Sequence, residues 1–153
     1  KTYIPGLDGR LLFTRSKHSL INVLFQSGGA IAAKWTTVNL AKHLEALDLL
    51  GDPFVHSKDD VKVWLMIEMH DEVQMAVHPS LLNVKSFKTE DAKSALSEGC
   101  SAIGHGTKGA YVGYKTQPVE CIGKAISDAC KELKLKVDLG FEWIPGLTWG
   151  QCH

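Results

Sequence analysis

The chain carries no surplus of either charge. Its 17 Lys and Arg residues balance 17 Asp and Glu residues. No global basic field therefore draws it to nucleic acid, and any DNA contact must come from local placement. No apolar run is long enough to span a membrane, no charged-then-apolar leader opens the sequence, and no internal repeat is present. The four cysteines, Cys100, Cys121, Cys130 and Cys152, form no C-x-x-C pair, so they are expected to be reduced and mostly buried thiols of a cytosolic protein. The 153 residues are the length of one domain. The first residue is Lys1 and not Met, which leads us to expect a processed, recombinant or fragmentary product.

Against this plain background one short segment stands out. Val61-Lys62-Val63-Trp64-Leu65-Met66-Ile67 is rich in β-branched and large apolar residues, and Val73-Gln74-Met75-Ala76-Val77 alternates apolar with polar. Two such runs around a short polar break predict a β-hairpin. The break is His70-Asp71-Glu72. Adjacent carboxylates at the tip of an apolar hairpin are costly unless something positive binds them, although a solvated turn accounts for many Asp-Glu pairs. Successive strand residues point to opposite faces, so Asp71 and Glu72 are expected to do different jobs, one of them toward a metal.

The remaining order reads as loop, long helix, hairpin, irregular segment, helix, strand and tail. Gly6-Leu7-Asp8-Gly9-Arg10 is turn chemistry. Ser16 or Ser19 can cap a helix that runs to about Leu47, with Gly51-Asp52-Pro53 closing that region. Val119, Ile122, Ile126, Ala129 and Leu133 recur at three and four and predict a helix face laid on a core, with Pro118 in its first turn. Val137, Leu139, Phe141 and Trp143 alternate with Asp138, Gly140 and Glu142, which predicts a strand buried on one face. Helices on one side of a short antiparallel sheet make an α+β layer.

The long helix holds a second informative pattern. His18, Asn22 and Gln26 are spaced by four and should form one polar stripe. Two carboxamides and an imidazole in line offer donors. Minor-groove acceptors lie in nearly the same place for every base pair, so such a stripe can check the shape of a pair without reading sequence. Gly28, Gly29, Ala30, Ala32 and Ala33 follow, and small residues admit close approach. The plainer alternative is an exposed polar face on a helix weakened by glycine.

Taken in order, these residues resemble the C-terminal palm segment of family A DNA polymerases, nearest the replicative enzymes of bacteriophages. The carriers are Gly6-Leu7-Asp8-Gly9-Arg10, Arg15-Ser16-x-His18, Asn22-x-x-x-Gln26-Ser27-x-Gly29-Ala30, His70-Asp71-Glu72 and the ending Trp149-x-x-x-His153. The resemblance covers roughly residues 3–77 and 119–153. It implies that Asp71 is one of two palm aspartates that hold two catalytic Mg2+ ions, that Glu72 assists at the primer end or the metal site, and that His70 packs near the primer terminus. It further implies that His18, Asn22 and Gln26 contact the minor groove of primer–template DNA, and that Arg15 meets the DNA backbone or a palm carboxylate. The implied substrates are DNA and dNTPs, and the implied location is the cytoplasm, that of the host if a phage encodes the chain.

Two departures from the family pattern matter. The second metal aspartate, the fingers helix that grips the incoming nucleotide and the thumb lie upstream in the family and have no counterpart here. Asp59-Asp60 reads as a solvated turn at the strand entrance. A lone carboxylate cannot position two ions, so a companion chain, or the rest of a longer polypeptide, is expected to supply the remainder. The second departure is an insertion of about forty residues, longer than ordinary connections, at about 80–117. Its Gly104-His105-Gly106-Thr107-Lys108-Gly109 matches G-x-G-x-x-G, but a strand-like Ala110-Tyr111-Val112-Gly113-Tyr114 follows where a dinucleotide site needs a helix. A glycine-rich surface loop is expected, with docking of the companion as the functional alternative. Two further classes are a metal-dependent nuclease, which needs a second carboxylate cluster, and a non-catalytic DNA-binding or structural subunit.

Overall fold

The computed structural model describes residues 2–52, 54, 57, 60–69, 72–81, 84–87, 102–106, 109–113, 116–144, 146 and 148. The fold is α+β. Its first element is a hairpin where the sequence suggested only a loop. Strand β1, Thr2–Pro5, pairs antiparallel with β2, Leu11–Thr14, from Thr2↔Thr14 to Pro5↔Leu11. The turn between them was legible and its flanks were not, because each strand has only four residues. Gly6 donates its N–H to the Arg10 carbonyl at 2.7 Å and Gly9 to the Gly6 carbonyl at 3.0 Å. Gly9 takes φ 81°, a left-handed conformation that glycine adopts without a Cβ penalty. Asp8 steadies the turn through an ion pair with Arg10.

Ser16, not Ser19, is the helix-starting cap. Its hydroxyl accepts from Ser19 N–H at 3.3 Å while the Ser19 hydroxyl accepts from Ser16 N–H at 3.2 Å, a reciprocal capping box. A single 3-10 turn, Lys17–Ser19, leads into α1, Leu20–Ala46. Gly28 and Gly29 do not interrupt it. The helix stops at Leu47, and Asp48 at φ 54° reverses the chain so that Leu49 N–H returns to the Leu44 carbonyl at 2.9 Å. It therefore ends where the sequence predicted, at about Leu47, and the left-handed Asp48 ends the ladder ahead of Gly51-Asp52-Pro53.

Leu50 then forms a parallel bridge to Val63, and Gly51 lies hard against Val61. A Cβ on Gly51 would stand 2.4 Å from Val61 Cγ1. Gly51→Ala is expected to lower stability by about 1–3 kcal/mol, the usual cost of forcing an extra methyl into packed surroundings. A thermal melt matching that of the parent would show that Val61 can yield.

Strands β3, Val63–Met69, and β4, Glu72–Val77, form the antiparallel hairpin that the sequence predicted. Val63 and Leu65 of β3 share a face with Val73, Met75 and Val77 of β4. That face packs on Leu40 and Leu44 of α1 and on Cys121 and Ala125 of the second helix, α2, Gln117–Glu132. Pro118 opens α2 as expected. Its buried face is Val119, Cys121, Ala125, Ile126, Ala129 and Cys130, with Ile122 only partly buried. The centre lies one residue from the predicted stripe because the small Cys121 and Ala125 face the core. Cys121 and Cys130 are free, buried thiols, and burial pushes the Cys121 thiol up. His43 of α1 meets Asp128 of α2 at 2.8 Å, and Lys131 meets the same carboxylate at 3.0 Å. These bonds, Lys131 first and His43 second, hold the Asp128 carboxyl below its ordinary range.

The stretch expected to be an insertion contains a small antiparallel sheet of its own. Strands β5, Val84–Phe87, β6, Ala102–Gly106, and β7, Gly109–Gly113, lie in the order β5-β7-β6. The glycine-rich segment joins β6 to its antiparallel partner β7. It does not open a helix, so it lacks the context of a dinucleotide site.

The predicted strand over Val137–Trp143 does not form. These residues are irregular, and Val137 and Leu139 are exposed. Their alternation is real, but they pair with no neighbouring strand among the described residues, and a strand needs both a partner and a covering face. The tail instead follows α2, where Phe141 lies 3.4 Å from the position a Cβ on Gly123 would take. Among the described residues no helix is long and apolar enough to cross a membrane.

Candidate active site

The hairpin tip is set by register. Met69 pairs with Glu72, the last pair of the hairpin. His70 and Asp71 themselves lie outside the described residues, as do Asp59, Trp149 and His153. Between Leu65 and Ile67 the register slips by one residue, a β-bulge. Before the slip Leu65 opposes Met75; beyond it Ile67 opposes Gln74 and Met69 opposes Glu72. The bulge thus turns Ile67 and Met69 to the face away from the core, where they flank Gln74 and Glu72.

Glu72 is half-buried, and its carboxylate accepts a hydrogen bond from Gln74 Nε2 at 2.6 Å. Sequence reasoning missed this partner, although the signal was available, since residues two apart on a strand share a face. The oxygen donors at the tip are of the kind magnesium takes. Among the described residues, however, no group of three or more His, Cys, Asp or Glu side chains could hold an ion. Glu72 alone is too few to hold one. Asp60 does not add to it. It lies exposed in a turn, where its carboxylate accepts from the Ser57 hydroxyl at 2.5 Å. A shallow depression of about 200 Å3, lined by Val61, Trp64, Ala76, Val77 and His78, sits at the opposite end of the hairpin from the tip.

The polar stripe of α1 is exposed along its length. Asn22 and Gln26 lie one turn apart on regular helix, whereas His18 belongs to the preceding 3-10 turn. That turn is wound more tightly than the α-helix that follows, so a spacing of four does not by itself align His18 with Asn22 and Gln26. Arg15, also exposed, lies just before the capping box, and Lys17 lies within the 3-10 turn. Gly28 and Gly29 have different surroundings. A Cβ on Gly28 would meet Leu7 at 3.1 Å, so its smallness serves the β1–β2 turn, while Gly29 faces open space. Gly29 and Ala30 are exposed beside Gln26, leaving room for a surface to approach the amides closely. One residue round the helix, Ile21 and Phe25 form a second exposed stripe, and it is apolar.

Comparison with family models and with curated proteins finds no match to this chain.

Proposed function

We propose that this chain is the C-terminal palm part of a family A DNA polymerase and that it acts in template-directed DNA synthesis together with a companion chain or the rest of its polypeptide. The observation that carries this reading is the hairpin register. Met69 pairs with Glu72 at one end of a hairpin whose other end is anchored in the core, and His70-Asp71 lies between these two residues in sequence. The ordered motifs of the sequence add the rest. In the reaction the primer 3′ oxygen bonds to the α-phosphorus of a dNTP, pyrophosphate leaves, and the hydroxyl proton passes to solvent.

Two magnesium ions would supply charge for the attacking and leaving oxygens in such chemistry. Asp71 would hold them from this chain, Glu72 would assist beside it, His70 would pack near the primer terminus, and the second aspartate would come from the companion. Arg15, with no ion-pair partner among the described residues, is suited to a phosphate or to a companion's carboxylate. The cytoplasm, where dNTPs and replicating DNA meet, is the compartment this role requires.

His18, Asn22 and Gln26 would lie along the minor groove of the newly made duplex. The amides accommodate any correct pair, because their acceptors hardly move between sequences, and a mispair displaces those acceptors. Asn22→Ala and Gln26→Ala are each expected to cost roughly 1 kcal/mol per lost contact, felt most at mismatched or misaligned primer ends. Single-nucleotide extension from matched and mismatched primers measures this. An unchanged ratio in both variants would make the stripe ordinary surface and remove the DNA-facing half of the proposal.

A further inference from the structure

We propose that Gln74 is a positioning residue that aims the Glu72 carboxylate at the hairpin tip, an inference that rests on the polymerase reading for its function but not for its geometry. Glu72 and Gln74 are half-buried, two residues apart on β4, and on the face turned from the core. The 2.6 Å bond from Gln74 Nε2 to Glu72 Oε1 is short and charge-assisted. Its flanks are apolar. The bulge sets Ile67 across from Gln74 and Met69 across from Glu72, so both members of the bonded pair have an apolar cross-strand neighbour. With ordinary alternation after Leu65, neither Ile67 nor Met69 would lie on this face. Low polarity around a hydrogen bond strengthens it. A glutamate has three side-chain torsions, and a hydrogen bond to its carboxylate narrows them. The Gln74 carboxamide supplies such a bond to one oxygen, so it helps to set the direction of a carboxylate that follows Asp71 in sequence.

The test uses Gln74→Met, which keeps length and volume and removes the donor, in a double-mutant cycle with Glu72→Ala. In the assembled polymerase Gln74→Met is expected to lower kcat on the order of tenfold, the weight of a hydrogen bond to a charged group, with KM for dNTP little changed and the melting temperature unmoved. In the Glu72→Ala background the same substitution should cost far less than in the parent, because the bond the two residues share is already gone. Additive losses, or a Gln74→Met enzyme with the parent's kcat, overturn the proposal. The bond itself is read separately from the side-chain amide NMR signal of Gln74 in 15N-labelled chain, observed with whatever copurifies. That signal should exchange slowly in the parent, and Glu72→Ala should shift it and speed its exchange. An amide that already exchanges like that of free glutamine overturns the positioning role whatever the activity. A responsive amide in a preparation that contains the companion chain yet shows no primer extension upholds the pairing and rejects the polymerase reading instead.

Discussion

Asp71→Asn is expected to abolish nucleotide addition by the assembled polymerase while leaving primer–template binding largely intact. The substitution keeps the size and shape of the side chain and removes one negative charge. Magnesium takes hard, charged oxygen ligands and dehydrates reluctantly, so an amide oxygen is a poor replacement for a carboxylate. Phosphoryl transfer asks little covalent chemistry of the protein, and nearly all of the catalysis is positioning and charge stabilisation. Loss of a metal ligand should therefore reduce the rate on the order of a thousandfold or more. The strands flanking residues 70–71 are held from the other end of the hairpin, where Val63, Leu65, Met75 and Val77 join Leu40 and Leu44 in the core. DNA affinity in this reading comes from Arg15 and the α1 stripe, on separate elements. Primer extension with magnesium and a fluorescence-anisotropy titration on the same preparation measure the two quantities. Extension within tenfold of the parent would remove Asp71 from the metal site and the hairpin tip from the catalytic centre.

The elements most visible in the sequence were those whose periodicity was long enough to be unambiguous. The apolar run of β3 and the alternation of β4 marked a hairpin, and the structure pairs those residues. The two four-residue strands around Gly6-Leu7-Asp8-Gly9-Arg10 were too short to show a period. Their pairing depends on packing against α1, with Leu7 reaching Gly28, which no local pattern reports. The reverse error arose at Val137–Trp143, where a clean alternation exists without a strand to pair with. The site was half legible for the same reason. Asn22 and Gln26 could be placed on one helix face by counting. The bulge between Leu65 and Ile67 could not be foreseen, because an extra residue in a strand only breaks an alternation that the apolar run Trp64-Leu65-Met66-Ile67 does not have. That slip decides which side chains flank Glu72 and Gln74.

The chain alone is expected to show no polymerase activity, to aggregate or dissolve poorly, and to gain both solubility and activity with a companion. In the proposed reading one palm aspartate cannot position two ions, and the parts that grip a nucleoside triphosphate come from the companion. The fold carries the same gap as exposed apolar surface. Helix α1 is apolar on nearly every side through its first half, a composition normally found on buried helices. Yet its buried residues, Ala32, Asn39, Leu40 and Leu44, begin only at mid-helix. Ile21 and Phe25 remain 64% and 74% exposed. Beside them the outer face of β1–β2 is Tyr3, Pro5, Leu11 and Phe13, all exposed and none charged. Such a face does not suit DNA, whose binding is carried by cationic contacts to phosphate; it suits another apolar protein surface. Next to it on α1 the amide stripe stays polar and available for a duplex. The two-stranded β3–β4 sheet also presents strand edges, which proteins usually cover, and the companion's palm strand with the second aspartate would pair there. The interface should be obligate and more than about 2,000 Å2 in extent. A gene beside this one should encode a chain with the missing aspartate and fingers. Expression with and without that chain, followed by size-exclusion chromatography and primer extension with magnesium, decides the matter. Robust synthesis by the lone, monodisperse chain would mean that the second metal ligand lies within these 153 residues and that the division of the site between two polypeptides is wrong.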